Sequence, residues 1–200
     1  EDASAYGSQA SATGDKSVAV GFRANAAEAD STSIGSWSEA TGAQSAAFGG
    51  GSMATAERAT ALGQSAQATG VNATATGAGA RAQASSTATG SGSNAASEQS
   101  VANGEMAEVQ GQGGVAVGQR SVVFGAQGVA IGQNATVTES GGVALGVNAV
   151  AMQDCVAIGR DSGCAEEGVV SVGTYGSERR IVSVAPGINS TDAASMGQVQ

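Results

Sequence analysis

The chain contains no histidine among its 200 residues, and only one proline, one tryptophan, two cysteines and three phenylalanines. Without histidine there is no imidazole general base, no Ser-His-Asp or Cys-His constellation, and no histidine metal ligand. Charged residues make up 12%, about half the usual share for a globular domain. The surplus is acidic, with 8 basic against 17 acidic residues and a net charge of −9. That balance argues against nucleic acid and against anionic membrane surfaces, both of which need clustered Lys and Arg. No run approaches the ~20 apolar residues of a membrane span. Glu1 and Asp2 open the sequence with no apolar segment behind them, so the expectation is a mature or excised segment without a signal peptide.

What is abundant is small. Ala (42 residues) and Gly (32) exceed a third of the chain, too little bulk for a thick core at native packing density. Such a composition suits either disorder or a fold with a thin interior.

A repeat decides between them. Glycine recurs at positions 7, 21, 35, 49, 63, 77, 90, 104, 118, 132, 146, 159 and 173, at spacings of 14 and, twice, 13 residues. Low-complexity sequence does not keep such a register. Two residues before each landmark glycine stands only Ala or Ser, as in Ala19, Ser33 and Ala130. Three after it is again Ala or Ser, and five after it Ala, Val or Cys. The positions one and three before it take larger residues, as in Val18-Ala19-Val20. Alternation by two within a longer period means strands, and recurrent glycine with β-branched neighbours opposes helix. Each period is therefore expected to hold two strands of about five residues joined by two turns. Identical units stack in parallel with their copies, giving an all-β solenoid, or β-roll. Twelve coils at ~4.8 Å each would make a rod roughly 58 Å long.

If the uniformly small positions point inward, Val18, Val20, Ile34, Val115, Val117, Val129, Ile131, Val143, Leu145, Val156 and Ile158 form two outward rows. A fully buried Val or Ile contributes roughly 1.5–3 kcal/mol, and a wet stripe of them would far exceed the apolar patch of an ordinary monomer. The rows are thus expected to be a seam between copies of the chain. The inverse arrangement, with Val and Ile inside, would make a self-sufficient monomer. The size variation one before the glycine, from Asn103 to Phe48, weighs against it. Asn25, Glu39, Gln67, Arg81, Asn94 and Glu108 mark the second strand's outer side as solvent-facing.

The repeat Ser17-Val-Ala-Val-Gly21 with its spaced Ala/Ser-x-Ala resembles the head repeat of trimeric autotransporter adhesins, the YadA-like heads. The tail, Glu178-Arg-Arg-Ile-Val-Ser-Val-Ala-Pro-Gly followed by Thr191-Asp192-Ala193 and Gln198, resembles that family's neck. The resemblance implies a left-handed parallel β-roll in residues 1–176 and a neck in 177–200 leading into a coiled-coil stalk. It further implies a parallel homotrimer on a Gram-negative cell surface, anchored in the outer membrane by a region absent from this chain. Its partners would be host cell-surface or matrix proteins, with this segment itself outside the membrane. In the neck, Arg179, Arg180, Thr191, Asp192 and Gln198 match the pattern. Thr191 is expected to cap a helix with Asp192 in its first turn. Glu166, Glu167 and Glu178 near Arg179 and Arg180 read as solvated charge; the alternative that the resemblance implies is that the arginines clamp the neck between chains.

Other features leave alternatives open. Cys155 and Cys164 share one coil; a disulfide suits a secreted chain, yet their positions, four before and five after the glycine, differ in parity. Thr76, Thr89 and Asn103 interrupt the aliphatic row, either bonding one another or holding water or an anion near a threefold axis. Gly49-Gly50-Gly51 and Gly113-Gly114 read as turn glycines. No cofactor or enzymatic activity is expected, since no nucleophile–base pair or paired carboxylates stand out. Two rival readings are a structural fibre of the phage-tail kind and an ice-binding solenoid. Thr74-Ala-Thr76 and Thr87-Ala-Thr89 suit the latter, but Val, Ile or Leu fill those places in most other coils.

Overall fold

The protein was analysed as a computed structural model that describes residues 2–199. Glu1 and Gln200, the outermost residues of the two expected segments, lie outside the described residues. Each coil contributes one short strand before the landmark glycine, such as Val18–Val20, and a second after it, such as Asn25–Ala26. The strands are three and two residues long rather than five, because tight turns take up the rest of each period. Among the described residues the first strands form a 13-stranded parallel sheet and the second strands a 12-stranded one, each in strict alternation along the chain. Register is preserved from coil to coil: Ala19 pairs with Ser33, Ala61 with Ala75, Ala130 with Ala144.

The landmark glycine is required by geometry. Gly21 has φ of +132°, and a Cβ there would lie 2.6 Å from the carbonyl oxygen of Gly35 in the next coil. Two residues further on, the chain is left-handed whatever the side chain, as at Arg23, Trp37, Ser65 and Met106. Backbone hydrogen bonds continue the stacking through these turns, for example Trp37 N–H to Phe22 O at 2.8 Å.

The interior holds the small residues. Ala59, Ala61, Ala66 and Ala68 of one coil are each fully buried, while the Val and Ile rows lie outside. Four positions point inward, not three: the residue four before the glycine is also buried, as Ser17, Ala59, Gly128 and Cys155 show. Side-chain parity does not carry across the landmark turn, where the positive-φ residues reverse the backbone. Gly114 is therefore an interior residue, unlike its turn neighbour Gly113. Buried serines bond to the turn carbonyl three residues back, as in Ser17 Oγ to Gly14 O at 2.7 Å and Ser52 Oγ to Gly49 O at 2.8 Å. That local bond lets serine replace alanine in a dry interior at little cost.

After the last short strand, Val170–Ser171, regular structure ends. A bridge joins Thr174 and Ser177, and one helical turn spans Met196–Val199.

Candidate functional site: the outer faces and the end of the rod

On the 13-stranded sheet the outward residues fall into two in-register rows. Val115 pairs with Val129, then Val143, then Val156; Val117 is followed by Ile131, Leu145 and Ile158. Val18, Val20 and Ile34 continue the same rows near the other end. All eleven residues of the expected seam thus share one face. The interior is already filled by Ala and Ser with a few Val and the two Cys, so this face stays open in a single chain, with Leu62 49% and Ile131 44% exposed. Thr76, Thr89 and Asn103 occupy consecutive places in the second row, a polar break between its aliphatic ends.

The opposite sheet changes character along the rod. Asn25, Glu39, Gln67, Arg81, Asn94 and Glu108 carry polar groups outward on its first part. From Val122 onward the same row carries no charge, with Val150 exposed and Phe124 and Met152 exposed beside it. Thr136 lies between Val122 and Val150 in that row, so the last coils are less polar than the first without becoming uniformly apolar.

Cys155 and Cys164 form a disulfide across the last complete coil, with Cα atoms 6.1 Å apart. Both are interior positions, Cys155 just before the strand Val156–Ile158 and Cys164 at the end of Gly163–Cys164, so the parity objection falls with the rule it rested on.

Beyond the roll, Arg179 folds back onto its own chain. Its guanidinium donates to Ser162 Oγ at 2.8 Å, to Val172 O at 2.7 Å, and to Arg160 O. It closes the open end of the roll, where no further coil supplies partners. Within this chain it acts as an end cap. Arg180 is exposed. A shallow pocket of about 390 Å³ opens beside Arg179, which lines it with Gly163, Val170, Thr174, Tyr175 and Glu178 among others.

Thr191 does not cap the helix. Ser195 takes the N-cap place, four residues later than expected: its N–H and hydroxyl both donate to Gln198 Oε1 at 3.1 and 3.3 Å, the reach-back half of a capping box, and its carbonyl accepts from Gln198 N–H at 2.9 Å. Gln198 also exchanges two hydrogen bonds with the backbone of Gly187, at 2.7 and 3.0 Å. Asp192 instead closes a turn, accepting from the N–H groups of Ile188 and Asn189 at 2.9 Å each. Those donors, Asn189 first, hold its carboxyl below the usual aspartate range. Glu178 is lowered in the same way, by its own backbone N–H and that of Gly176.

Among the described residues no group of three or more His, Cys, Asp or Glu could hold a metal ion, and no helix is long and apolar enough to cross a membrane. The chemistry on offer is that of surfaces.

The model of the YadA head domain repeat matches residues 1–24, 26–52, 54–80 and 110–135, more than half of the chain. The chain belongs to the YadA head-repeat family. Among solved structures, the collagen-binding domain of the Yersinia adhesin YadA is similar to it. The two are 29% identical over 80% of this chain and 83% of that one, with a TM-score of 0.50. Comparison with the curated proteins finds no match. Family and architecture together make the chain a rod-like adhesin or fibre segment of the YadA-head kind.

Proposed function

We propose that this rod is the head of a surface adhesin, a parallel homotrimer of left-handed rolls. Residues 177–200 form the neck into a coiled-coil stalk anchored in a Gram-negative outer membrane. One observation carries the assembly: two in-register rows of Val, Ile and Leu stand outside an interior already filled by Ala and Ser with a few Val and the two Cys. Packing three such faces together removes from water a surface that no single chain can cover. The exposed neck side chains Ile181, Val182 and Ile188 find cover in the same assembly.

Adhesion by such a rod needs no deep pocket. Host matrix or cell-surface proteins would be held by weak contacts repeated over three chains, with avidity exceeding each contact. The similarity to a collagen-binding head supports a matrix ligand of this class.

Light scattering tests the assembly: the expected mass is three times the 19.0 kDa of the chain, and a stable monomer overturns it. Val117→Asp with Ile131→Asp should shift the protein to monomer or unfolded chain. Adhesion is tested by binding of the purified head to collagen, fibronectin and epithelial cells; absence of binding to all three favours a purely structural fibre.

A further inference from the structure

The only tryptophan of the chain stands in the row of turn residues two after each landmark glycine. Along the rod this row reads Gln9, Arg23, Trp37, Gly51, Ser65. Backbone bonds keep it in register past Trp37, with Gly51 N–H on Ser36 O and Ser65 N–H on Gly50 O, each at 2.9 Å. The Arg23 guanidinium covers one face of the indole, 4.3 Å from the ring centroid. Phe22 buttresses it edge-on, with centroids 5.6 Å apart, and Arg23 is itself held by Gln9. The indole is thus braced from the N-terminal side, yet Trp37 remains 52% exposed.

With Arg23, one coil toward the N-terminus, on one face, the face left uncovered is the one toward the next coil, where Gly50 and Gly51 stand. Neither glycine is there for steric reasons. A Cβ on Gly50 would have Ser36 O as its nearest neighbour at 3.7 Å, and one on Gly51 would have Ser65 Oγ at 3.7 Å. Nor does conformation demand glycine at 51: its φ of +66° is matched at equivalent places by Gln9, Arg23, Trp37, Ser65 and Met106. What the pair does is leave a side-chain-free notch beside the indole. Trp37 walls one side, the backbone of residues 49–51 floors it, and exposed Gln64 and Ser65 form the far side.

Two coil spacings, roughly 9.6 Å, separate the walls. A ring stacked on the indole at about 3.5–4 Å leaves room for hydrogen bonds to the polar wall beyond it. A pyranose has this two-sidedness, with a C–H face for an aromatic ring and equatorial hydroxyls for an amide and a hydroxyl. An aromatic or proline side chain would leave the Gln64–Ser65 wall unanswered. The geometry points to a carbohydrate subsite: the Trp37 notch takes one neutral pyranose of a surface glycan. The inference deepens the adhesin reading and rests on it for its biological setting.

Because Trp37 is the single tryptophan, its emission reports the notch directly. Titration of the intact head with methyl glycosides of galactose and N-acetylglucosamine, and with N-acetyllactosamine, should give a saturable change at millimolar concentration with at least one sugar. Gly51→Gln fills the notch with a residue that Gln9 shows the backbone accepts; it should weaken binding at least tenfold with an unchanged thermal melt. Trp37→Ala, followed by saturation-transfer NMR, should abolish binding. No saturable response to any of these sugars, a response unchanged in Gly51→Gln, or a response only to a Pro-Pro-Gly peptide overturns the inference. Attachment of wild-type head to cells separates this from the broader reading. Attachment indifferent to both variants and to free sugar removes the notch and leaves the adhesin, whereas sugar binding without attachment keeps the notch and removes the adhesin.

Discussion

The coils around Gly63 and Gly132 enclose equivalent space with different parts. The first uses four alanines, Ala59, Ala61, Ala66 and Ala68, all fully buried. The second uses Gly128, Ala130, Ala135 and Val137, with the extra bulk of the valine lying where the glycine has none. A Cβ on Gly128 would come within 2.8 Å of Val137 Cγ1 and 2.9 Å of Val123 Cγ1. Around Gly35 a third solution appears, with Ser31, Ser33 and Ser38 buried and the last two bonded to each other at 2.7 Å. The fold constrains the volume of the coil and the satisfaction of its polar atoms, and leaves the identity of each residue open within that limit.

The widest break in this comparison is expected from adding bulk where no glycine compensates. Ala61→Leu should cost at least about 3 kcal/mol, since a coil two strands thick cannot yield as a large core does; chemical denaturation would show loss of the folded rod. Gly128→Ala should cost less, roughly 1–2 kcal/mol, and adding Val137→Ala should return part of it. A double-mutant cycle with a coupling below about 0.5 kcal/mol would refute volume compensation.

At the rod's end, removing the Cys155–Cys164 bridge by paired serine substitution should cost about 2–3 kcal/mol from loop closure. Its effect should be confined to the last coils: hydrogen exchange at Gly163 should rise while coils near Gly63 stay protected. The smallest expected effect is on the tail. Asp192 has a lowered pKa, so its contribution is present above the ordinary aspartate range and fades as pH falls through that range to the lowered value. Amide NMR signals of Ile188 and Asn189 should shift on acidification below about pH 4, and Asp192→Asn should remove that shift.

The same contrast explains what could be read from the residues alone. Register, parallel stacking and the outward aliphatic rows follow from periodicity, which a solenoid writes directly into its sequence. The fourth interior position was legible too, since Ser17, Ala59, Gly128 and Cys155 are all small. It stands two residues before the inward Ala19, Ala61, Ala130 and Ala157, so alternation carried one step further back along the first strand assigns it. With that position assigned, the cysteine pair and the glycine–valine exchange both follow. The tail obeys no period. Its structure depends on single side chains, such as Arg179 on Val172 O and Gln198 on Gly187, whose reach no spacing rule encodes. The capping residue was displaced from Thr191 to Ser195 for that reason: Asp192 is engaged upstream, and Gln198 selects the residue three before it.

Two coils are one residue shorter than the others, yet Thr74 still pairs with Thr87 and Val143 with Val156. The shortfall is absorbed in the far turn, and both strands keep their partners. Reach is therefore quantised and cheap to alter in this architecture. Duplicating or deleting one whole unit would move the tip by a single interstrand step of about 4.8 Å while every surviving coil keeps the neighbours it needs. Rod length is thus adjustable one coil at a time without redesigning either end.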